Sequence, residues 1–527
     1  MESLCGSDFT LPSTQETAKK VLGKISNPKN PSVQKTLKSS KVSIEMRLST
    51  ITENVNSILG RYKDNTVVLK TKEDFVDYID KAIENGVIAI DTETNNSLDP
   101  ISCKLMGPCL YTPGMKNAYV PVNHTNLSGI RYDWQITEQD VAEQFKRLDN
   151  TKIIMHNGKF DYEVIKCTCG VALNCYWDTM IAARLLDENE RAGLKQQYIS
   201  KIDSSIERYS IDHLFENVDY AVVDPEVFAL YAATDSYMTY RLYEWQKEKF
   251  ERPGEEKLYN LFMTVEMPVM TVAAEMELTG VCIDVEYAKK LSAKYHEKLK
   301  NIDNKIAEEL KKYEQKIAQW RLSPDANIKP KTNTKSGVGK SKSEQLEDPV
   351  NMSSPTQLAI FLYDILNVGV VDKSKPRGTG EDILNKIDLP ICKLITERRG
   401  VDKLIGTYID KLPKCVSEVD GRLHANFNQI GADTGRFSSS DPNLQNIPSH
   451  ENAIRMMFVA SDEVKLKDVK NLEICLSNLE DVETVSGWKN VKQLKIGDII
   501  LDDNMSWHTI SDLSQQGELT TIKFKAC

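Results

Sequence analysis

Acidic side chains stand at the end of one apolar strand of the sequence. Asp91 and Glu93 lie near the end of the predicted strand Val87–Thr94, and residues two apart on a strand face the same side. Two carboxylates in one space repel each other and raise a pKa unless a cation lies between them. Hard oxygen ligands favour Mg²⁺ or Mn²⁺. The pair therefore predicts one side of a divalent metal site.

Two later segments could complete this site. Asp161 follows the predicted strand Lys152–His156 and begins a predicted helix. Tyr231 and Asp235 are four residues apart on another predicted helix, so their side chains share one face. Phosphodiester hydrolysis needs an attacking hydroxide, a stabilised leaving oxyanion and a neutralised phosphoryl group, and two metal ions can supply all three. Four carboxylates suit two such ions, and the tyrosine could orient the attacking water.

These three segments resemble the motifs of a known nuclease superfamily. Asp91–Glu93, Asn157–Asp161 and Tyr231–Asp235 match the three motifs of the DEDD exonucleases in their tyrosine form. The nine residues from Asp178 to Leu186 are similar to a helix of the same family. The resemblance implies a ribonuclease H-like α/β fold and 3′→5′ removal of nucleotides. The roles it implies are metal ligation by Asp91, Glu93, Asp161 and Asp235, water positioning by Tyr231, and contact with the terminal nucleotide by Thr92 and Asn157.

The elements around these residues are typical of an α/β domain. Strands are predicted at Val67–Lys70, at Val87–Thr94 and twice within Leu105–Val122, around a Pro-Gly turn. Helices are predicted between them, at Asp74–Gly86 and Thr137–Leu148. Alternation of this kind places the acidic residues at the ends of sheet strands and on the helices that cover the sheet.

A second motif lies at Gly431–Pro448. Its residues, GADTGRFSSSDPNLQNIP, could be a generic loop rich in Ser, Pro and Asn. They closely resemble a motif of family A DNA polymerases, and an Arg among hydroxyl and amide side chains suits contacts that do not depend on base sequence. The resemblance implies that Arg436, Gln445 and Asn446 contact the primer–template duplex, and Arg455 matches a basic residue that follows in the family.

Other parts of the polymerase pattern are missing from the sequence. The family's D-Y-S-x-x-E metal motif has only a distant echo at Asp468–Glu473, which we interpret as chance. The finger helix that binds the incoming nucleotide is absent, and no His-Asp-Glu triplet occurs. We therefore expect a chain truncated before the polymerase active site that does not polymerise DNA by itself. The missing 5′-nuclease domain and the insertion in the tail suggest a phage type. A second chain could carry the remaining parts.

The last segment leaves two interpretations open. The residues from Cys475 to Asp498 are similar to the start of an intein or Hint domain, in which Cys475 would attack the preceding carbonyl in an N→S acyl shift. The T-x-x-H block that assists this step is missing. A small β-rich insertion in the polymerase is the simpler interpretation.

Bulk composition limits the class of protein. The chain has 527 residues, of which 40% are hydrophobic, and its mean hydropathy is −0.41. No apolar run approaches the roughly 20 residues that span a bilayer, and the first residues are neither basic nor apolar, so we expect a cytoplasmic protein with no membrane partner. The net charge of −10 is an average and does not exclude a nucleic-acid partner.

Eleven cysteines are scattered along the chain, which favours reduced thiols. Cys167, Cys169 and Cys175 could be part of a zinc site, but no fourth ligand has finger or ribbon spacing. Buried thiols are the simpler interpretation. His156 adjoins the second acidic motif, whereas histidine-using relatives carry theirs near the last aspartate, so we predict a structural role for it.

Together these patterns predict four segments. They are a flexible N-terminal segment at 1–60, a 3′→5′ exonuclease domain at 61–252, a mainly helical polymerase thumb with the start of the palm at 253–474, and a β-rich insertion or Hint-like fragment at 475–527.

The predicted function is proofreading at single-stranded DNA 3′ ends with two Mg²⁺ or Mn²⁺ ions, and binding of the primer–template duplex. One alternative is an RNA-directed 3′ exonuclease. The other is a non-catalytic relic that binds primer–template.

Overall fold

The computed structural model describes residues 44–527 apart from 205–214, 216–217, 329–339, 433, 450, 461–470, 478–480, 485–486, 497–498, 502–506, 517–518 and 526–527. Two compact units divide the chain. The first contains residues up to Thr279 together with Ala425–Ser440, and the second contains Gly280–His424 together with Asp441–Cys527. Two parts of the predicted segment 253–474 group with the first unit: the residues from 253 to Thr279, and Ala425–Ser440.

A six-stranded mixed sheet forms the centre of the first unit, in the order β1-β4-β3-β2-β5-β6. Its strands are β1 (Thr66–Val68), β2 (Val87–Thr94), β3 (Leu105–Tyr111), β4 (Asn117–Tyr119), β5 (Lys152–Met155) and β6 (Cys175–Asp178). The central strand β2 runs antiparallel to β3 and parallel to β5. Ile88, Ala89 and Ile90 of β2 have no exposed surface, so this strand is fixed on both faces before its acidic residues begin.

Helices cover the sheet and connect its strands. They are α1 (Ile44–Leu59), α2 (Lys72–Asn85), α3 (Glu138–Phe145), α4 (Gly158–Cys169), α5 (Thr179–Leu186), α6 (Leu194–Lys201), α7 (Pro225–Phe250), α8 (Glu256–Leu261) and α9 (Met267–Thr279). Short 3₁₀ turns occur at Gly60–Asn65, Lys146–Leu148 and Tyr220–Val222, and a π-helical turn at Phe262–Glu266 joins α8 to α9.

The helix ends follow local sequence signals. Thr71 caps α2 through the backbone N–H of Asp74, and Gly86 ends it in the left-handed conformation, with φ 67°. Thr137 and Asp140 form a capping box at the start of α3. These two helices and the strands of the sheet confirm the predicted α/β class of this part of the chain.

Aromatic packing anchors the far side of the sheet. Trp177 of β6 is 1% exposed and donates from its indole N–H to Gln246 of α7 at 3.0 Å. Its ring lies 4.6 Å from that of Phe262 and 5.2 Å from that of Tyr243, centroid to centroid. A buried indole with its N–H satisfied fixes β6 against α7.

A short hairpin, β9 (Asn426–Asn428) with β10 (Ser438–Ser440), completes the first unit. The two strands pair antiparallel, with Phe427 opposite Ser439. Arg436 lies in the connection between them.

The second unit is helical in its first part, as predicted. Its helices are α10 (Val285–Lys311), α11 (Glu314–Arg321), α12 (Lys342–Gln345), α13 (Pro355–Ala359), α14 (Glu381–Leu384), α15 (Pro390–Leu404) and α16 (Asn452–Arg455), with a short ladder of β7 (Val281–Cys282) and β8 (Arg422–Leu423). Ile360–Ile365 and Ile405–Ile409 are π-helical, and 3₁₀ turns lie at Asp325–Asn327 and Leu412–Lys414. Buried Phe361, Ile391 and Ile395 belong to its core. Among the helices described in either unit, none combines the length and the hydropathy that crossing a membrane requires.

The tail forms a β-sheet, which confirms its predicted β-rich character. Its strands are β11 (Asn471–Ser477), β12 (Asp481–Thr484), β13 (Gly487–Asn490), β14 (Ile499–Leu501), β15 (Trp507–Gln516) and β16 (Leu519–Lys525), in the order β11-β16-β15-β14-β12-β13, with a 3₁₀ turn at Val491–Gln493. Cys475 lies within β11, opposite Thr521 of β16.

Candidate active site

Asp91 and Glu93 lie side by side on β2, both half-buried. The neighbouring strand β3 places Cys109 opposite Asp91. One ligand atom from each of these three side chains lies within 4.8 Å of the others. Among the described residues, this is the one His, Cys, Asp or Glu group of three that is close enough to hold one ion. The prediction that strand spacing brings the two carboxylates together is correct as geometry.

Asp161 is bound directly to the same strand. Its side chain is 2% exposed, and its Oδ1 accepts hydrogen bonds from the backbone N–H of Thr92 at 2.8 Å and from Thr92 Oγ1 at 2.7 Å. The residue between the two acids of β2 therefore holds the third acid from α4. Thr92 has a scaffolding contact here that its predicted role at the terminal nucleotide did not include.

A buried carboxylate sets where α4 begins. Asp178 is 1% exposed and accepts from the N–H of Gly158 at 2.7 Å and of Asn157 at 3.3 Å. It also caps α5 through the N–H groups of Met180 and Ile181, at 2.7 and 3.2 Å. Asp178 thus fixes two helix starts, and with them the first turn that carries Asp161.

Two unusual backbone positions allow this close approach. Asn157 adopts the left-handed conformation, with φ 62°. A Cβ at Gly158 would lie 2.8 Å from the Cβ of Met155, so only glycine fits there. The Asn-Gly pair of the second motif is therefore explained by the turn from β5 into α4.

Tyr231 and Asp235 come from α7, which packs against β2 and β3. Tyr231 is half-buried, with its ring 4.8 Å from that of Phe215. The charge of Asp235 acts on Asp91, which places the fourth carboxylate with the other three. The structure therefore brings together all five residues that the three motifs predicted.

Burial and mutual repulsion control the protonation of these acids. Burial, then the charges of Asp161, Glu93 and Asp235, hold the pKa of Asp91 well above its usual range. Burial also raises the pKa of Asp161 to about 7, against the opposing effect of its hydrogen bonds from Thr92. A cluster of this kind is stabilised by divalent cations, because they favour the ionised carboxylates.

The donor set fits hard cations. Carboxylate oxygens suit Mg²⁺ and Mn²⁺. Cys109 is fully buried, and burial holds its thiol pKa well above the usual range, so it stays a neutral neighbour rather than a thiolate ligand. The residues that would hold the ions are the acids of β2, α4 and α7.

The raised pKa of Asp161 predicts that the stability of the metal-free protein depends on pH, and that bound metal removes this dependence. Because the pKa of Asp161 is raised on folding, its contribution favours the folded state at low pH and is lost as pH rises through about 7. With EDTA, the unfolding temperature should therefore fall between pH 5.5 and 8, and excess Mg²⁺ should restore it at pH 8. The check is a thermal melt of wild type and Asp161→Asn. An equal fall in the variant would contradict the assignment.

Lys195 is a site residue that the sequence motifs did not reveal. It lies on α6, its Nζ is 3.4 Å from Asp235 Oδ2, and it lies 5.2 Å from the centre of the Tyr231 ring. It also lowers the pKa of Asp91. Because α6 belongs to none of the three motifs, only the packing of α6 on α7 could reveal this cation.

A lysine at the edge of an acidic site can stabilise charge that develops on a phosphate. Lys195→Met should lower the rate of the metal-dependent 3′-end digestion that the three motifs predict, about tenfold or more, with Lys195→Arg retaining most of it. Lys201→Met is the matched control, because Lys201 lies on the same helix but pairs with Glu190 at 2.8 Å. Single-turnover digestion measures the effect. Equal rates for the two methionine variants would exclude this role.

The other predicted residues lie outside the acidic cluster. His156 contacts Thr179 Oγ1 at 2.8 Å, and burial lowers its pKa to about 4, so the ring is neutral, in keeping with a structural role. The four predicted duplex contacts are exposed: Arg436 belongs to the first unit, and Gln445, Asn446 and Arg455 belong to the second. Of the two predicted contacts with the terminal nucleotide, Asn157 is exposed and Thr92 is buried. The backbone N–H groups of Gln445 and Asn446 both donate to Asn443 Oδ1 at 3.1 Å, which shapes their turn.

Two known families match separate parts of the chain. Residues 66–250 match the family described as 3′-5′ exonuclease, and residues 330–477 match DNA polymerase family A. The first range contains the four acids Asp91, Glu93, Asp161 and Asp235 together with Tyr231. The second range contains the Gly431–Pro448 motif.

Several DNA polymerase I proteins are similar to the chain. That of Chloroflexus aurantiacus is 29% identical over 399 residues, which cover 73% of this chain and 38% of the relative. That of Borreliella burgdorferi is 29% identical over 404 residues, covering 75% and 38%. The thermostable DNA polymerase I of Thermus thermophilus is 34% identical over 230 residues, covering 42% and 23%. The chain thus spans about 38% of the length of the first two relatives.

One solved structure has a similar fold. It is the POL domain of Pol1 from M. smegmatis, in complex with DNA primer-template and dNTP. It matches with a TM-score of 0.56 and 17% identity, over 79% of this chain and 61% of that one. At this identity the likeness concerns the fold alone.

Proposed function

We propose that the chain, which matches DNA polymerase family A over residues 330–477 and the 3′-5′ exonuclease family over residues 66–250, is a two-metal proofreading exonuclease acting on DNA. Three observations carry the proposal. Asp91 and Glu93 lie together on β2, Asp161 is hydrogen-bonded to Thr92 between them, and the charges of Asp161 and Asp235 act on Asp91.

Each residue has a distinct part in the proposed reaction. The two ions, Mg²⁺ or Mn²⁺, would supply an activated water and neutralise the scissile phosphate. The four carboxylates hold the ions, and Thr92 fixes the orientation of Asp161 through its two hydrogen bonds. Tyr231 orients the attacking water, and the half-exposed Lys195 compensates charge at the outer edge of the site.

The substrate class follows from the joined regions. A nuclease unit that also carries the Arg436 hairpin suits the 3′ end of a DNA primer–template, in the cytoplasm of a bacterial or phage-infected cell. We propose that Thr92 and Asn157 contact the terminal nucleotide, and that Arg436, Gln445, Asn446 and Arg455 contact the duplex. The presence of a DNA polymerase region argues against the RNA-directed alternative, because an exonuclease that acts on RNA would not need such a region.

Substrate preference provides the test. A 5′-labelled single-stranded DNA should shorten stepwise from its 3′ end in Mg²⁺, faster than RNA of the same sequence. Preference for RNA would favour the alternative nuclease. Binding of primer–template without any shortening would favour the non-catalytic relic.

We propose that this polypeptide does not polymerise DNA by itself. The 527 residues contain no His-Asp-Glu triplet and no finger-helix pattern, so we propose that the purified chain degrades primers without extending them. Template-directed extension by the isolated chain would overturn this.

Cys475 is a candidate for a second, separate activity. The polymerase match ends at residue 477, two residues beyond Cys475, and Cys475 lies in the first strand of the tail sheet. These boundaries support either acyl transfer at Cys475 or a plain β-rich insertion. Thiol-induced cleavage between Ile474 and Cys475, seen by mass spectrometry and lost in Cys475→Ala, would select the first.

A further inference from the structure

The hairpin that carries Arg436 is tied to the helix that carries Asp161. Lys159, in the first turn of α4, forms an ion pair with Glu277 of α9, and the two side chains are only 13% and 10% exposed. Lys159 Nζ also donates to the carbonyl oxygen of Phe427 at 2.9 Å, while the N–H of Phe427 donates to Glu277 Oε1 at 2.5 Å. One lysine–glutamate pair thus satisfies both backbone polar groups of a single hairpin residue.

The bonds from Lys159 and Glu277 lie on the outer edge of the hairpin. Phe427 lies opposite Ser439 within the ladder of β9 and β10. Its backbone N–H and carbonyl groups face away from that ladder, toward α4 and α9. There the ion pair makes the hydrogen bonds that a neighbouring strand would otherwise make. A further bond holds the start of the connecting loop, because Gln429 Nε2 donates to the carbonyl oxygen of Glu266 at 2.9 Å.

The bonds between the hairpin and Lys159 are connected to the acidic site by the first turn of α4. Lys159 precedes Asp161 by two residues on α4, and Asp161 is held to β2 by Thr92. The position of the hairpin is therefore linked to the metal-binding acids by a helix start that Asp178 also fixes. All of these residues belong to the first compact unit.

We propose that Lys159 and Glu277 are a positioning pair that sets the distance between the Arg436 hairpin and the acidic site, so that a duplex with an unpaired 3′ end engages both at once. This rests on the proposed exonuclease function. A single-stranded end needs only the acidic site. A primer–template also contacts the hairpin, and two linked contacts bind most tightly when their spacing matches the substrate, so a loosened hairpin weakens duplex binding.

The prediction is a loss confined to duplex substrates. Lys159→Met should raise KM for a mismatched primer–template about tenfold, while kcat and KM for single-stranded DNA stay within about twofold. Glu277→Gln should act in the same direction, since it removes the ion pair but keeps an oxygen for the N–H of Phe427. Lys166→Met is the matched control, because Lys166 joins the same two helices through Glu275, seven residues further along α4.

Steady-state digestion of both substrates by the full chain decides the matter, with a thermal melt of each variant. Should Lys159→Met fail to fold, Glu277→Gln alone carries the test. Equal losses on both substrates, no loss on either, or the same loss in Lys166→Met would each overturn the proposal. If the wild type digests neither substrate, the exonuclease function fails and the positioning role fails with it, whereas wild-type activity with equal losses in the variants removes the positioning role alone.

Discussion

Asp161→Asn should lower the exonuclease rate by about 10³-fold or more while the chain stays folded. The amide keeps an oxygen that accepts both hydrogen bonds from Thr92, so the link between β2 and α4 survives. What is lost is one of the four charges that would hold the metal ions. The measurement is single-turnover digestion of a 5′-labelled single strand in Mg²⁺, with circular dichroism as the check on folding.

Glu163→Gln provides the matched control for this loss. Glu163 lies on the same helix as Asp161 and is equally buried, at 2% exposure. Burial and the nearby charge of Glu277 raise its pKa to about 9, so it carries a proton at neutral pH and an amide replaces it with little change of charge. Its activity should stay within about twofold of wild type. A comparable loss in both variants would mean that α4 matters for packing rather than for metal binding.

Asp178→Ala should give the largest loss of stability. The substitution removes the acceptor of four backbone N–H groups, of which those of Gly158 and Ile181 are buried, and an unsatisfied buried donor costs about 1–3 kcal/mol. We expect the free energy of unfolding to fall by about 3 kcal/mol or more. The exonuclease rate should fall too, because the start of α4 positions Asp161.

Urea denaturation of the full chain measures this loss, followed by tryptophan fluorescence because buried Trp177 is adjacent to Asp178. Thr137→Ala is the control. It removes an exposed N-cap from α3, which should cost about 1 kcal/mol and leave the exonuclease rate unchanged. Similar losses in the two variants would contradict the prediction that the buried Asp178 cap stabilises the fold more than the exposed Thr137 cap does.

Local periodicity was enough to pair four of the five candidate site residues. Two-residue spacing on β2 and four-residue spacing on α7 are properties of the isolated elements, so Asp91, Glu93, Tyr231 and Asp235 could be paired without any tertiary information. The buried run that precedes Asp91 identified the strand itself. The β-rich tail and the helical second unit were predictable for the same reason.

Contacts between distant elements could not be predicted in this way. Lys195 reaches Asp235 only because α6 packs on α7, and nothing in its own segment distinguishes it from Lys201. Lys159 meets Glu277 and Phe427 across more than one hundred residues of chain. The Arg436 hairpin groups with the first unit, to which Lys159 and Glu277 bond it, whereas its sequence pattern indicated the polymerase region.

The most direct test of the metal site compares wild type with Asp91→Ala on one substrate. A 5′-labelled single-stranded DNA is incubated with each protein in Mg²⁺, and again in EDTA. We expect a ladder of products shortened from the 3′ end for wild type in Mg²⁺, and at least about 10³-fold slower shortening in the other three reactions. Shortening that persists in EDTA or in Asp91→Ala would contradict a carboxylate-held metal site at the end of β2.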